Sequence, residues 1–172
     1  FDAAAIYTAH LEWARRHAEP LTRLAPPLSL DRDVNRKLTI GYVSPNLRQH
    51  AVAVFVAPIF AHHDHERFRV IAYHRSTQND AITERFQSHA DAWRDAARMD
   101  DEQLAGQIRA DKVDILVDLN GHIPNHRLLV FARRPAPVQV TDLGYQTTTG
   151  MSAMDYRVTD AVADPPGTTE QL

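Results

Sequence analysis

Three polar turns hold most of the side chains in this sequence that could do chemistry. They run from Ser44 to His50, from Asp118 to His122 and from Gly144 to Gly150. Each turn follows an apolar run typical of a buried strand, and the carboxyl ends of parallel strands share one edge of a sheet, where open α/β folds bind ligands. We therefore expect the three turns to converge on one candidate site.

His50 is the first candidate for acid and base chemistry. Imidazole titrates near neutrality without perturbation, so His50 could accept a proton from a substrate hydroxyl. The simpler alternative is a histidine that caps or packs against the helix that starts there. The spacing of the residues leaves both interpretations open.

The other two turns carry weaker signals. Asp118 and His122 could form an oriented carboxylate and imidazole pair, or Asp118 could be a phosphoacceptor, but we favour an aspartate that binds the backbone N–H groups of its own loop. Gly144, Tyr145 and the threonines after them could present N–H groups and hydroxyls to a sugar or a phosphate. Their pattern is neither a GxGxxG nor a Walker motif.

The remaining histidines are interpreted as structural. The run from His62 to His65 contains three histidines and an aspartate, yet consecutive residues at a helix end point in different directions and cannot easily close one tetrahedron around a metal ion. We expect a solvated helix terminus there. His10 and His17 lie two turns apart on a predicted N-terminal helix, and we expect both to be surface or packing residues.

Alternating strand and helix patterns predict the scaffold that positions these turns. Residues 37–43 have the composition of a strand, and Val52, Phe55, Val56, Ile59 and Phe60 then share one face of a helix. Pro58 predicts a kink in that helix or a late start. Repetition of this alternation predicts an α/β fold with a doubly wound, parallel, Rossmann-like sheet. The further predicted strands are 68–73, a short piece at 93, 113–119, 138–143 and 156–159, and the further helices are 79–89, one from 100, and 125–133.

The first 36 residues have a different character. Residues 2–18 are rich in alanine and predict a helix. Pro20, Pro26 and Pro27 predict an irregular connector as far as Asn35. We therefore divide the chain into an N-terminal helix with a proline-rich connector, residues 1–36, and a Rossmann-like lobe, residues 37–172. We also expect the sequence to be part of a longer protein, because a proline turn at 165–167 is followed by a possible helix start at 168–172.

The composition excludes several classes of protein. The 172 residues, 44% hydrophobic and 24% charged, suit one globular domain, and a net charge of -3 gives no electrostatic reason to bind nucleic acid or anionic lipid. The lack of cysteine excludes disulfides and thiolate nucleophiles and fits a reducing cytosol. No apolar run approaches the ~18 residues that a membrane span needs.

Several runs resemble the catalytic region of the O-GlcNAc transferase and SPINDLY family. They are the run 37–44 with His50, the run 113–122, which ends in Asn-Gly-His, and the run 133–140 followed by Leu-Gly-Tyr at 143–145. The resemblance covers about residues 37–172 in the correct order. It implies an inverting GT-B glycosyltransferase, in which two Rossmann-like lobes face each other across a cleft. This chain resembles the amino-terminal lobe, which we expect to be inactive without the C-terminal nucleotide-binding lobe.

The same resemblance implies an activity and its partners. Family members transfer N-acetylglucosamine, or fucose in the SPINDLY branch, from a nucleotide sugar to Ser or Thr hydroxyls of intracellular proteins without a required metal. We therefore expect UDP-GlcNAc as donor substrate, protein or peptide acceptors, no cofactor, no nucleic acid or membrane partner and a cytoplasmic location. The N-terminal helix resembles the junction to the family's tetratricopeptide repeats, so upstream repeats of the same protein are expected partners too.

The resemblance also implies site residues. His50 matches a histidine proposed as a base or as a group that orients donor and acceptor, and Leu143, Gly144 and Tyr145 match residues near the sugar. Three further substrate-binding positions depart from the animal enzymes: Asn46 replaces an aspartate also proposed as a base, Ala51 replaces a proline, and Val52 replaces a small hydroxyl residue. Asp142 and Gln146-Thr147 also depart from the pattern. These departures leave the identity of the donor sugar and of the catalytic base open. Two alternative functions also stay open: a non-catalytic interaction module, and a stand-alone nucleotide-binding or receiver-like domain that uses Asp118.

Overall fold

The computed structural model describes residues 2–29, 31, 33–165 and 167. Strands and helices alternate through these residues in the predicted order. The strands are β1 (Leu38–Ser44), β2 (Phe68–His74), β3 (Ala92–Asp95), β4 (Ile115–Asp118), β5 (Val138–Asp142) and β6 (Tyr156–Val158). The helices are α1 (Ala3–Trp13), α2 (Glu19–Arg23), α3 (Ala51–Ala61), α4 (Ala81–His89), α5 (Asp101–Ala110) and α6 (Leu128–Ala132), and a π-helical turn, Ala14–Ala18, joins α1 to α2.

These strands form one sheet with the order β3-β2-β1-β4-β5-β6, and every pairing in it is parallel. The chain builds outward from β1 to β3 and then returns to β4 on the other side of β1, which is the strand order of Rossmann folds. The direction of winding reverses between β1 and β4, so a crevice is expected beyond the carboxyl ends of these strands. The predicted Rossmann-like, doubly wound sheet is confirmed.

Apolar side chains cover both faces of the sheet. Neighbouring residues on a strand point to opposite faces, so Tyr42 belongs to the cluster under α3 and α4, whereas Val43 belongs to the cluster under α5, α6 and the N-terminal helix. This double coverage explains why the central strands have nearly continuous apolar sequences. The other buried strand residues are Ile40, Val70, Ala72 and Val117 in the cluster under α3 and α4, and Ile71, Tyr73 and Leu116 in the cluster under α5, α6 and the N-terminal helix.

The N-terminal helical segment is longer than the sequence predicts. Pro20 does not begin the irregular connector but lies in the first turn of α2, where a proline is tolerated because its missing N–H is not needed for a helical hydrogen bond. The predicted start of the connector is therefore wrong. Ala14 and Ala18 are buried in the same cluster as Phe131 and Met151, so this segment packs directly on the lobe.

Two predicted elements are shorter than expected because of backbone conformation. Asn125 has a φ of 65° and Arg134 a φ of 43°, values that do not continue a right-handed helix. The helix predicted over 125–133 is therefore reduced to the five residues of α6. Leu143, predicted as the end of β5, has a φ of 43° and lies beyond the strand.

Helix α3 forms where predicted, but part of its apolar face is exposed. It begins at Ala51 and continues through Pro58 to Ala61, so of the two predicted effects of Pro58, a kink or a late start, the late start is wrong. Phe55 is 59% exposed and Ile59 is 39% exposed. Among the described residues, no helix combines the length and apolar character that crossing a bilayer requires. Residue 166 of the predicted proline turn and the possible helix start at 168–172 lie outside the described residues.

Candidate active site

The three predicted turns meet at the carboxyl edge of the sheet, because β1, β4 and β5 are neighbours. Ser44, the last residue of β1, donates a hydrogen bond from Oγ to Oδ1 of Asn120 in the turn after β4, at 2.9 Å. A Cβ added at Gly144, in the turn after β5, would collide with the backbone carbonyl of Leu119. The predicted convergence is confirmed, with the β4 turn lying between the other two.

The loop that carries His50 is fixed at both ends. Ser44 Oγ accepts a hydrogen bond from the Asn46 amide at 3.0 Å, and one carboxylate oxygen of Asp80 accepts from the Gln49 amide at 2.7 Å. The other oxygen of Asp80 caps α4. These backbone hydrogen bonds, that from Gln49 first, lower the pKa of Asp80, so a carboxylate from a different element holds the residue next to His50.

His50 is the N-cap of α3. Its Nδ1 accepts a hydrogen bond from the Val52 amide at 3.2 Å, which satisfies one of the free N–H groups at the helix start. A ring nitrogen that accepts from an N–H carries no proton, so the neutral imidazole holds its proton on Nε2. The structure therefore confirms the helix-capping role that the sequence left open for His50. The half-buried ring can also donate a hydrogen bond from Nε2.

The other predicted substrate-binding residues of this turn, Asn46, Ala51 and Val52, have mainly backbone groups near His50. Asn46 is buried at 6% exposure, and its amide binds Ser44 Oγ. Val52 is 7% exposed and its side chain belongs to the apolar cluster under α3, so the atom that it presents toward His50 is its amide nitrogen. Ala51 is the first residue of α3 and is exposed.

Asp118 has the structural role that we favoured. Its carboxylate accepts hydrogen bonds from the amides of Asn120 at 3.2 Å and Gly121 at 2.7 Å and from the hydroxyl of Thr141 at 3.2 Å. Burial raises the pKa of Asp118 to about 6. His122, the other member of the predicted pair, donates from Nε2 to the Thr149 carbonyl at 2.9 Å instead, so these two described side chains do not form the pair.

The turn after β5 holds the three residues predicted to lie near a sugar. Leu143 is 37% exposed and has a left-handed backbone. Gly144 lies so close to the β4 turn that its lack of a side chain is required. Tyr145 is half-buried, and its Cγ would lie 2.8 Å from a Cβ added at Gly121, so its ring covers the β4 turn.

A cluster of rings joins this turn to the N-terminal helix, and the sequence did not predict it. His10 stacks on His122 with ring centroids 4.3 Å apart and an interplanar angle of 4°. Tyr145 shares a hydrogen bond of 3.0 Å with Nε2 of His10, and Trp13 and His126 pack edge-on against His122. Burial lowers the pKa of all three histidines. His10 and Tyr145 are 135 positions apart, so no spacing in the sequence could indicate the contact.

One carboxylate and one phenol on the strands, those of Asp142 and Tyr42, also have shifted pKa values. Burial raises the pKa of Asp142, the last residue of β5. Burial, and then the charge of Asp142, raise the pKa of Tyr42 on β1. Tyr42 shares a hydrogen bond of 2.9 Å with Nε2 of His63, so His63 is a partly buried packing residue and not a fully solvated one.

The run from His62 to His65 does not gather around one point. His62 Nδ1 donates to the Pro58 carbonyl at 2.8 Å, and His65 Nδ1 donates to Asp91 at 3.0 Å. Within residues 2–29, 31, 33–165 and 167, no three histidine or carboxylate side chains lie close enough to hold a metal ion together. The different directions expected of consecutive residues at a helix end are confirmed.

Known proteins match most of this chain. The profile of Glycosyl transferase family 41 matches residues 23–172. The rice SPINDLY protein, described as a probable UDP-N-acetylglucosamine–peptide N-acetylglucosaminyltransferase, is 42% identical over 96% of this chain and 18% of its own length. The Caenorhabditis elegans UDP-N-acetylglucosamine–peptide N-acetylglucosaminyltransferase is 33% identical over 76% of this chain and 12% of its own length.

A solved structure agrees with these relatives. A point mutant of the Thermobaculum terrenum O-GlcNAc transferase superposes with a TM-score of 0.91 at 45% identity, covering 98% of this chain and 32% of that chain. The sequence therefore spans less than a fifth of the rice relative and about a third of the bacterial enzyme. From the profile match, the relatives and the fold, the chain belongs to glycosyl transferase family 41.

Proposed function

We propose that the chain is the amino-terminal lobe of a protein O-glycosyltransferase that transfers GlcNAc from UDP-GlcNAc to Ser or Thr hydroxyls with inversion. The observation that carries this proposal is the close match of fold and sequence to an O-GlcNAc transferase, with a TM-score of 0.91 at 45% identity. The family profile spans residues 23–172, which include the turns after β1, β4 and β5. The names of the SPINDLY and C. elegans relatives support the same donor and acceptor classes.

In this reaction the acceptor oxygen attacks the anomeric carbon from the face opposite the nucleotide. A bond forms between that oxygen and the carbon, the bond from the carbon to the phosphate oxygen breaks, and UDP leaves with the electron pair. His50 donates a hydrogen bond from Nε2 to an oxygen of the donor, where negative charge develops as UDP leaves, because its Nδ1 is occupied by the Val52 amide. Such a donor is worth roughly 100- to 1,000-fold in rate when it is aimed at developing charge.

The acceptor proton leaves its oxygen in the same reaction. The departing UDP phosphate, which gains the electron pair, can take it, whereas the nearby side chains of this chain do not fit that role. Asp118 is buried, and its oxygens are bound to the amides and hydroxyl of its own turn. Asn46 carries no basic group at neutral pH. We therefore assign His50 an orienting role, and the base lies outside the pair of positions, 46 and 50, that the family resemblance suggests.

The remaining parts of the proposal concern the whole protein. It requires a C-terminal lobe that supplies most contacts to the nucleotide, and the N-terminal segment before about residue 37 joins the lobe to upstream tetratricopeptide repeats. It acts in the cytoplasm on protein or peptide acceptors, without a cofactor or metal and without nucleic-acid or membrane partners. Residues 37–172 are the lobe itself.

The test is transfer of labelled GlcNAc from UDP-GlcNAc to proteins of a mixed lysate by the full-length protein, with the 172-residue chain alone as the control. We expect transfer by the full-length protein and none by the chain alone. A folded full-length protein that transfers neither GlcNAc nor fucose would contradict the proposal and favour the non-catalytic interaction module.

Fucose transfer is the second candidate function. The chain is more similar to rice SPINDLY, at 42%, than to the C. elegans enzyme, at 33%, and this difference favours the SPINDLY branch. The 45% identity to the bacterial O-GlcNAc transferase favours GlcNAc. The same assay with GDP-fucose separates the two: transfer from GDP-fucose and not from UDP-GlcNAc would establish the alternative donor.

A further inference from the structure

The N-terminal helix contacts both ends of the turn after β5 through one residue, His10. At the first end, Nε2 of His10 and the hydroxyl of Tyr145 are 3.0 Å apart. At the second end, a Cβ added at Gly150 would lie 2.6 Å from the carbonyl carbon of His10 and 2.8 Å from its oxygen. The close approach requires a glycine, which also has a φ of 71°. His10 therefore contacts the turn with both its side chain and its backbone.

A second ring adds a contact next to Gly150. His122 stacks almost parallel on His10, and its Nε2 donates to the Thr149 carbonyl at 2.9 Å. Tyr145 packs edge-on against His10 and His122, with centroids 5.5 and 5.8 Å away. The stack thus connects residues 145, 149 and 150 to the helix.

The same helical segment is anchored again beyond the turn. Glu19, in the first turn of α2, accepts hydrogen bonds from the amide of Ser152 at 3.0 Å and from its hydroxyl at 2.6 Å. Ala14 and Ala18, between His10 and Glu19, are buried on the lobe. Because the segment is held at several points, it can act as a fixed support for the turn and not as a loose extension.

We propose that His10 is a positioning residue for the donor sugar: it holds the turn 144–150 in place through the ring stack, the Tyr145 hydroxyl and the close approach of Gly150. This inference rests on the proposed function for the role of the turn in binding the sugar. His10 itself lies before residue 23, where the match to the family profile begins. The functional lobe therefore extends into the N-terminal helix.

The test uses the full-length protein and removes the contact from each side. His10→Phe keeps a ring for the stack and loses the hydrogen bond, Tyr145→Phe loses only the hydroxyl, and the double variant reports whether the two act through one contact. His10→Gln is the rescue variant, because its amide can still bind the hydroxyl. The matched control is His17→Phe, on the same segment, where the side chain is exposed and its ring contacts Trp13.

The first measurement is amide hydrogen exchange, which does not depend on activity. We expect His10→Phe and Tyr145→Phe to speed exchange in residues 144–151 about fivefold, the factor that one ordinary hydrogen bond gives. Exchange in β4 should not change, and His17→Phe should match the wild type. Unchanged exchange of the turn in both His10→Phe and Tyr145→Phe would overturn the positioning role.

The second measurement is the kinetics of sugar transfer. We expect the KM for the nucleotide sugar to rise about fivefold in either single variant and no further in the double variant, with His10→Gln partly restored and the KM for the acceptor peptide unchanged. An unchanged donor KM, or effects of the two single variants that multiply, would contradict the role in donor binding. A wild-type protein that transfers no sugar would instead refute the proposed function, and the exchange measurement would still decide whether His10 holds the turn.

Discussion

Replacing Gly144 by alanine should displace the turn after β5 while leaving the sheet intact. The added Cβ would lie 2.5 Å from the carbonyl carbon of Leu119 and 3.0 Å from the amide nitrogen of Asn120, whereas ordinary contacts are 3.4–4 Å. The nearest atom, the Leu119 carbonyl oxygen, lies closer still and is backbone of the β4 turn, so the two turns must separate by more than about 1 Å. A shift of that size in a substrate-positioning element costs at least roughly 100-fold in rate. Overpacking of this kind also costs about 1–3 kcal/mol of stability.

Gly106→Ala is the matched control for this prediction. Gly106 is exposed in α5, and an added Cβ meets nothing within 4 Å, so we expect alanine there to stabilise the chain by about 0.5–1 kcal/mol and to leave transfer unchanged. Denaturant unfolding gives the free energies, and kcat/KM for sugar transfer by the full-length protein gives the functional effect. Wild-type stability and wild-type transfer in Gly144→Ala would refute the close approach of the two turns and its role in the site.

Three further predictions follow from the side chains that hold the turns. Burial raises the pKa of Asp118 from 3.8 to about 6, so the ionised carboxylate lowers the free energy of unfolding. The difference in unfolding free energy between the wild type and Asp118→Asn should favour the wild type most below pH 4 and fall by on the order of 3 kcal/mol as the pH rises past 6. Denaturant unfolding across that pH range measures it. Asp80→Ala should release the Gln49 amide and speed its hydrogen exchange, whereas Asp80→Asn should retain part of the protection; equal exchange in all three proteins would contradict this. Arg134→Met should lose the bonds to the Ala153 carbonyl and the Asp155 carboxylate and about 1–3 kcal/mol of unfolding free energy, and an unchanged denaturation midpoint would count against it.

Local patterns in the sequence were sufficient to predict the sheet and the convergence of the turns. Apolar runs such as that ending at Ser44 mark strands covered on both faces, and the order of elements dictates which strand ends become neighbours. The favoured role of Asp118 was also predictable, because an aspartate at a strand end commonly binds the amides that follow it.

The rest depended on tertiary contacts or single backbone angles that a local pattern does not encode. The sequence predicts a surface or packing residue at His10, but its contact with Tyr145 requires the packing of the N-terminal helix on the lobe. The left-handed conformation of Asn125 shortened α6. Phe55 lies on the apolar stripe of α3 yet is exposed, because helical periodicity shows which residues share a face and not how much of that face the chain itself covers.

In the proposed mechanism His50 takes part in sugar transfer as well as capping α3, and the variant His50→Asn separates these two roles. Asparagine is a favoured N-cap, so this variant should unfold with a free energy at least equal to that of the wild type, whereas His50→Ala should lose about 1 kcal/mol. Asparagine lacks the imidazole Nε2, so we predict that transfer by the full-length protein falls at least about 100-fold in both variants. Wild-type turnover by a stably folded His50→Asn protein would contradict a role for His50 in sugar transfer, since His50 would then be a helix cap only.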